Sequence, residues 1–287
     1  MIFVKLLAAL LKLILKITPL RKYYFGLYKK VIVPYKLFDH ISFVTRYDGD
    51  LKIRVALKDW IQQQIYFLDY SDLNGISFLK KTLKKGAVFI DIGANIGAYS
   101  LIAAKLVTQN GKVISFEPVK AINKKLVANL NDNNFTNVKV EKKAVYENDT
   151  FLNLHLSNEQ NSGMSSILHH SEESGITEQV EAVTLDTYLK KLELESIELI
   201  KLDIEGAEIH ALKGMNETIL KYSPTLLIEI SEDILINSTK SSANEILQLM
   251  KDYNYSLFSI ELNGDLKPLD NFNGKDYHNY VFQPNRK

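Results

Sequence analysis

Short apolar runs alternate along the chain with stretches that have helical spacing, and several of the runs end at a glycine or an acidic residue. The amphipathic stretches 98–107 and 119–131 predict helices that follow two of these runs. Strands and helices that alternate in this way are typical of an α/β fold with a doubly wound, mostly parallel sheet. The predicted strands cover residues 88–92, 112–116, 138–141, 197–202 and 225–230.

The pattern before residue 84 is less regular. Residues 41–44 and 51–55 flank a turn sequence at 47–50 and predict a β-hairpin, while residues 60–70 and 75–83 have helical spacing. We therefore assign residues 23–84 to an N-terminal cap of hairpin and helices, and residues 85–287 to the domain that holds the sheet.

Residues 1–22 predict a basic amphipathic helix. On a helix, Lys5, Lys12 and Lys16 fall within ~40° of one another, and the other faces are almost entirely apolar. Lysines interrupt the apolar run, which disfavours a membrane-spanning helix and a cleaved signal peptide. Two interpretations remain open: residues 1–30 bind an anionic membrane surface, or the helix packs against its own domain or a second subunit of a homo-oligomer.

Charge is polarised along the chain. Residues 1–36 contain eight Lys or Arg and no acidic residue, whereas residues 37–287 contain 27 basic and 34 acidic side chains. The net charge of −7 in the larger part disfavours nucleic acid as a partner. The chain has no cysteine, which excludes a disulfide, a thiolate zinc site and a cysteine nucleophile. This is consistent with a cytoplasmic protein, either free or peripheral at the inner membrane face.

A glycine-rich turn follows the strand at 88–92 and predicts a ligand site. Gly93 and Gly97 let the backbone turn tightly and approach a ligand, and Asp91, Ala94 and Asn95 belong to the same segment. The middle glycine that a dinucleotide fingerprint places against a pyrophosphate is replaced by Asn95. The turn therefore favours a ligand without a pyrophosphate, and together with the ribose that Glu117 predicts this fits S-adenosylmethionine.

Acidic residues at further strand ends complete the predicted site. Glu117, followed by Pro118, lies 20 residues after Gly97, where an acid typically accepts hydrogen bonds from ribose hydroxyls. The loop that contains Ala144 and Val145 is expected to border the adenine. Asp203 and Glu205 end another strand, where they can contact the cofactor, orient an acceptor hydroxyl or take its proton.

Four segments, 89–97, 116–118, 201–208 and 279–282, together resemble the FkbM family of S-adenosylmethionine-dependent methyltransferases. The resemblance covers about residues 70–282. It implies a class I methyltransferase fold, which is a Rossmann-like sheet with helices on both faces and an antiparallel last strand at residues 277–282. It also implies O-methylation of sugars, glycans or polyketide-type natural products, and the expected acceptor is a hydroxyl on a saccharide, a glycan or a lipid-linked glycan.

The expected reaction needs mainly alignment of the acceptor and a sink for its proton. Asp203 is the first candidate for that base and Glu205 the second, and no metal site is assigned. Two other functions remain open: a dinucleotide-dependent oxidoreductase, and a cofactor-binding, membrane-recruited protein without catalysis.

Overall fold

The computed structural model describes residues 2–156, 176–272 and 278–285. The described chain forms two compact units. Unit 1 contains residues 2–72, and unit 2 contains the described residues from Leu73 onwards. The division falls before the helix at 73–82, so that helix groups with the sheet rather than with the predicted cap.

Twelve α-helices occur in the described residues. They are α1 (Ile2–Leu15), α2 (Thr18–Arg21), α3 (Tyr24–Leu27), α4 (Trp60–Leu68), α5 (Leu73–Thr82), α6 (Ala98–Val107), α7 (Lys120–Asp132), α8 (Leu185–Leu189), α9 (Glu208–Lys213), α10 (Asn216–Tyr222), α11 (Glu232–Thr239) and α12 (Ala243–Asp252), and a π-helical turn, Tyr28–Ile32, follows α3.

Thirteen strands occur in the same residues. They are β1 (Ser42–Tyr47), β2 (Leu51–Ala56), β3 (Val88–Ile92), β4 (Lys112–Phe116), β5 (Val138–Glu141), β6 (Ala144–Val145), β7 (Thr150–His155), β8 (Thr177–Val183), β9 (Leu199–Leu202), β10 (Thr225–Ile230), β11 (Tyr255–Ile260), β12 (Leu266–Leu269) and β13 (His278–Pro284).

Unit 1 contains the predicted hairpin and a cluster of aromatic side chains. Strands β1 and β2 pair antiparallel, and α4 follows them with the Asp59 carboxylate accepting the Gln62 amide hydrogen bond at its N-terminus. Tyr24 stacks on Trp60 with ring centroids 5.8 Å apart, and its hydroxyl donates to Gln63. The one tryptophan is therefore part of the packing of this unit.

The helix expected over residues 1–22 is interrupted. It ends at Leu15, and α2 begins at Thr18 with Pro19 in its first turn. Proline has no amide hydrogen to continue the helical hydrogen-bond ladder, but it is tolerated in the first turn of a new helix. The segment is therefore two helices.

Two of its basic residues have partners inside unit 1. The Lys12 ammonium lies 4.5 Å from the centre of the Tyr66 ring. Arg21 donates to the Leu15 carbonyl and forms an ion pair with Asp69, with the nitrogen and oxygen 3.1 Å apart. The expected basic stripe is thus divided, because Lys12 packs against α4 while Lys5 and Lys16 are exposed.

Unit 2 is built on an eight-stranded sheet. Its order is β12-β11-β13-β10-β9-β3-β4-β5, in which β10, β9, β3, β4 and β5 are parallel and β13 is antiparallel to both of its neighbours. This order confirms the predicted doubly wound sheet with an antiparallel last strand. The chain leaves β3 toward β4 on one side and later returns to β9 on the other, so the carboxyl ends of β3 and β9 flank a topological switch point.

Helices cover both faces of this sheet. Successive side chains of a strand point to opposite faces of the sheet, so β3 contributes side chains to an apolar face and to a polar face. Ile90 and Ile92 join a buried apolar cluster with residues of α8 to α12. Asp91, between them, accepts a hydrogen bond from Ser100 of α6. The face toward α6 therefore contains polar groups within the sheet.

A second, three-stranded sheet follows β5. Its order is β6-β8-β7, in which β7 and β8 pair antiparallel. The hydroxyl-rich sequence 161–166 and the two histidines after it lie outside the described residues.

The turn after β3 requires glycine at its first position. Gly93 has a φ of +80°, and its amide donates to the Phe116 carbonyl at 3.0 Å. A Cβ atom on Gly93 would lie 1.8 Å from the backbone oxygen of Asp203. The turn therefore packs directly on the backbone that leaves β9.

We expect Gly93→Ala to lower the free energy of unfolding by about 2 kcal/mol or more, because it adds a steric clash to an unfavourable φ. Gly86→Ala is the matched control, since Gly86 also has a positive φ but a Cβ there would meet nothing within 4 Å. Gly86→Ala should lower the free energy of unfolding by only about 1 kcal/mol. Urea denaturation measures both values, and equal losses would contradict the close packing of the turn on β9.

Candidate functional site

Charged side chains line up on the α6 face at the carboxyl ends of the parallel strands. Asp91 on β3 and Lys201 on β9 are direct neighbours in strand register. Two residues further along, and therefore on the same face, are Asp203 after β9 and Glu229 on β10. Glu117 follows β4 in the corresponding position. The predicted strand-end acids thus share one edge and one face of the sheet.

Lys201 is the buried cation of this arrangement. Its side chain is 3% exposed, its Nζ lies 2.8 Å from Oδ2 of Asp203, and the Tyr99 ring centre is 4.8 Å from the same nitrogen. Burial alone would lower the pKa of Lys201, but the charges of Asp203 and Asp91 raise it above its ordinary value. Lys201 therefore remains an ammonium ion inside the sheet.

Asp203, Glu205 and Glu229 form a cluster in which every pair of residues has carboxylate oxygens within 4.8 Å. Burial would raise the pKa of Asp203, yet Lys201 and a hydrogen bond from Glu229 hold it below its ordinary value. Burial and the charge of Asp203 raise the pKa values of Glu205 and Glu229 well above the ordinary range. The cluster therefore favours the ionised form of Asp203 and the protonated forms of its two neighbours.

Such a set of oxygens can also hold a divalent ion. Here the ammonium of Lys201 already contacts Asp203 and supplies the positive charge that a metal would bring. We therefore interpret the cluster as proton-sharing, and the assignment of no metal remains a prediction.

The loop after β9 holds Glu205 in an uncommon conformation. Glu205 has a φ of +54°, and its Oε2 atom is buried with no hydrogen-bond partner in the described chain. The Ser238 and Thr239 hydroxyls of α11 donate to the carbonyls of Glu205 and Gly206. Left-handed backbone at a residue other than glycine is costly and is common at functional sites.

Glu208 stabilises this loop from the other side. Its side chain is 3% exposed, and its Oε1 accepts the amide hydrogens of Ile204 and Gly206 at 3.2 Å each. Burial raises the pKa of Glu208 to about 7. Glu208 therefore fixes the loop backbone that presents Glu205.

Glu117 links the glycine turn to the start of α7. Its two carboxylate oxygens accept the amide hydrogens of Asn95 at 3.0 Å and Val119 at 2.9 Å. Burial raises the pKa of Glu117 to about 7, although these two amides oppose the rise. Gly97 is also constrained, because a Cβ there would lie 2.6 Å from the Leu126 side chain. The predicted members Gly93, Ala94, Asn95, Gly97 and Glu117 thus form one connected turn.

Asp91, a predicted member of the ligand site, is a buried acid on β3. Its side chain is completely buried, Oδ2 accepts from the Ser100 hydroxyl at 2.6 Å, and Oδ1 has no hydrogen-bond partner among the described residues. Burial raises the pKa of Asp91 while Lys201 opposes the rise. In this structure Asp91 organises Ser100 and Lys201 beneath the turn.

The remaining predicted cofactor residues differ in exposure. Pro118 and Ala144 are half-buried, whereas Val145 is 3% exposed and belongs to the apolar core. Of the β6 pair, only Ala144 therefore has side-chain surface that a ligand could contact.

His210 contacts two residues that follow β6. Its ring stacks on Tyr146, and its Nδ1 lies 3.0 Å from a Glu147 oxygen.

Lys201 is a site residue whose role the sequence pattern did not predict, whereas Glu229 repeats the strand-end acid pattern but was not assigned to the site. A lysine inside an otherwise apolar strand run, two positions before Asp203, was the available signal. A charged residue in a buried strand is rare unless it is paired, so this lysine pointed to acidic neighbours on adjacent strands.

We expect Lys201→Met to lower the free energy of unfolding by about 3–5 kcal/mol at pH above neutrality, because it leaves buried carboxylates without a counter-charge. The loss should shrink in mild acid, since the unpaired acids then take up protons. Lys190→Met, which removes an exposed lysine paired with Glu217, should change stability little. Urea denaturation of the natural protein and both variants, above neutrality and in mild acid, measures the free energies of unfolding. A loss of stability in Lys201→Met that does not depend on pH would argue against the ion cluster.

Comparison with known proteins identifies the family. The methyltransferase FkbM domain family matches residues 91–257, which is more than half of the chain. The AMB antimetabolite synthetase AmbE of Pseudomonas aeruginosa is 24% identical over 249 residues, an alignment that covers 75% of this chain and 11% of AmbE. The chain therefore spans only a small part of that curated relative.

Two solved structures illustrate the structural similarity. The methyltransferase FkbM from Methylobacillus flagellatus KT has 17% identity and a TM-score of 0.42, over 78% of this chain and 55% of that chain. Aeropyrum pernix fibrillarin in complex with S-adenosyl-L-methionine has 12% identity and a TM-score of 0.43, over 85% and 83% of the two chains. The family match alone decides the assignment and confirms the resemblance seen in the sequence: this chain belongs to the FkbM family of S-adenosylmethionine-dependent methyltransferases.

Proposed function

We propose that the enzyme methylates a hydroxyl group of a saccharide, a glycan or a lipid-linked glycan. The observation that carries the proposal is the carboxylate cluster of Asp203, Glu205 and Glu229, because a hydroxyl nucleophile must lose a proton and the cluster contains both an ionised acid and proton-sharing neighbours. The net negative charge of residues 37–287 disfavours a nucleic-acid acceptor.

The residues of the turn fit the cofactor. Each oxygen of Glu117 accepts one backbone amide and keeps a second lone pair, which a ribose hydroxyl can use. Lys201 and Asp203 neutralise each other, so the charge that Glu117 gains near neutrality favours a cofactor with a positive sulfonium group. When bound, S-adenosylmethionine supplies an electrophilic methyl group.

Asp203 and Glu205 have complementary roles in this proposal. Asp203 remains ionised beside Lys201 and is 32% exposed, so it can accept a hydrogen bond from the acceptor hydroxyl and orient it. A low pKa makes Asp203 a weak proton acceptor, whereas the raised pKa of Glu205 suits a general base when it is ionised. We therefore assign orientation of the acceptor to Asp203 and acceptance of its proton to Glu205, in the reverse of the order expected from sequence.

A small-molecule natural product is a second candidate acceptor. It is favoured by the similarity to an antimetabolite synthetase, although this chain spans 11% of that protein. The acceptor panel described next separates the two classes. No feature of the site favours the dinucleotide-dependent oxidoreductase, because Asn95 replaces the glycine that a pyrophosphate requires.

Methyl transfer is tested by release of S-adenosylhomocysteine with a panel of free sugars, glycans, lipid-linked glycans and small hydroxylated metabolites. With a productive acceptor, Asp203→Asn and Glu205→Gln should each lower kcat by about 10²-fold or more, while cofactor affinity changes little. Glu193→Gln, an exposed acid outside the cluster, is the control. Full turnover in both cluster variants would remove these residues from the mechanism, and turnover only with metabolites would replace the glycan proposal.

The pH dependence of cofactor binding tests Glu117. Because burial raises its pKa to about 7, this acid gains its charge near neutrality. An ionised carboxylate accepts ribose hydroxyls better than a protonated one, so the Kd for S-adenosylmethionine should fall by up to about tenfold per pH unit as the pH rises toward 7. Glu117→Gln should bind at least about tenfold more weakly and lose this component of the dependence. Calorimetry at several pH values measures it, with Glu198→Gln as an exposed control; identical profiles would exclude Glu117 from the ribose site.

A further inference from the structure

Helix α1 packs against the rest of unit 1 with one side only. Ala8 and Leu15 are buried at 0% and 3% exposure, and Lys12 lies over the Tyr66 ring of α4. At ~100° per residue these three positions lie on one side of the helix. This side is enough to attach the helix to the unit.

A second side of α1 is apolar and exposed, and we call it the apolar face. Its members fall within an arc of about 100° on the helix and its C-terminal extension. Each of them is between 42% and 76% exposed: Phe3, Leu6, Leu10, Leu13, Ile14 and Ile17.

Exposed large apolar side chains are concentrated in the first 35 residues of the chain. Ten of the 18 large apolar side chains that are exposed in the described residues lie before residue 36. Outside the apolar face they include Tyr23, Phe25 and Tyr35, which are aromatic residues of the kind enriched at membrane interfaces. A patch of this kind marks a binding surface rather than ordinary scatter.

The charges near the apolar face identify its partner. Residues 1–36 contain eight basic and no acidic side chains. Lys5, Lys16, Lys22, Lys29 and Lys30 are exposed, and the Lys29 ammonium lies 4.4 Å from the centre of the Phe25 ring. Long lysine side chains can reach lipid phosphates while their stems stay near apolar groups.

A second copy of the chain is a less suitable partner for the apolar face. Contact between the apolar faces of two copies would bring their basic side chains together, and neither segment has an acid to compensate, which disfavours self-association.

We propose that unit 1 docks on an anionic lipid bilayer, with the apolar face of α1 inserted at the headgroup boundary and the exposed lysines on the lipid phosphates.

The length of α1 fits this orientation. Its 14 residues span about 21 Å, less than the ~30 Å of a hydrocarbon core. Among the described residues there is no helix whose length and hydropathy would allow it to cross a membrane. An amphipathic helix of this kind lies parallel to the surface.

Flotation of the full chain with vesicles tests the proposal. We expect binding to phosphatidylcholine vesicles that contain phosphatidylglycerol, and weaker binding to pure phosphatidylcholine. Leu10→Glu combined with Leu13→Glu should reduce binding about tenfold or more, because it places two charges on the inserted face. Lys29→Glu combined with Lys30→Glu should reduce binding to the anionic vesicles by more than about fivefold per site, since each lysine near such a surface contributes about that factor.

Leu220→Glu combined with Leu262→Glu is the matched control, since these leucines are 65% and 71% exposed in unit 2. It should float like the natural protein, and circular dichroism and cofactor binding should be unchanged in every variant. The proposal is overturned if the natural chain does not float or if the Leu10 and Leu13 variant floats equally. It is also overturned if light scattering without lipid shows a dimer that this variant dissociates, because a second copy would then occupy the apolar face.

Discussion

The ion pair between Lys201 and Asp203 is the interaction on which the site depends. An ammonium group that is 3% exposed is stable in a sheet only when acids surround it, and Asp91 and Asp203 fulfil that condition from adjacent positions. The dependence is mutual, because the buried Asp91 and the partly exposed Asp203 would otherwise lack a counter-charge. Strand register brings the groups together, so the charge pattern of the site is a property of the sheet and not of one loop.

This arrangement gives chemically similar carboxyl groups different protonation states. Asp203, next to the cation, is held ionised, while Glu205 and Glu229 are pushed toward their protonated forms by burial and by the charge of Asp203. Groups whose environments separate their pKa values in this way are suited to distinct acid and base roles. The positive φ of Glu205 fits the same interpretation, since the strained loop is held by α11 and by Glu208 rather than by its own preference.

Local patterns predicted the parts of the fold and site that depend on neighbours in sequence. The turn from Gly93 to Gly97, the strand-end position of Glu117 and the reversed last strand were all readable from spacing or from the family resemblance. The roles of Lys201 and Glu229 were not, because they arise from residues on different strands that only the register brings together. The pairing of Arg21 with Asp69, across 48 positions, is unpredictable for the same reason. The end of α1 near Pro19, in contrast, had a local signal that a helical wheel does not consider.

The exposed apolar side chains of α1 are not required by the packing of unit 1. Ala8 and Leu15 attach the helix, and polar residues in place of Leu10 or Leu13 would leave those contacts intact. Exposing leucine side chains to water is unfavourable, and lysine or glutamate at these positions would be more soluble. The free-energy cost is removed when a partner covers the leucines. The absence of acids from residues 1–36 adds a second, independent restriction on that partner, because it must tolerate or attract positive charge. An anionic lipid surface satisfies both restrictions at once, whereas a second copy of the same segment satisfies only the first.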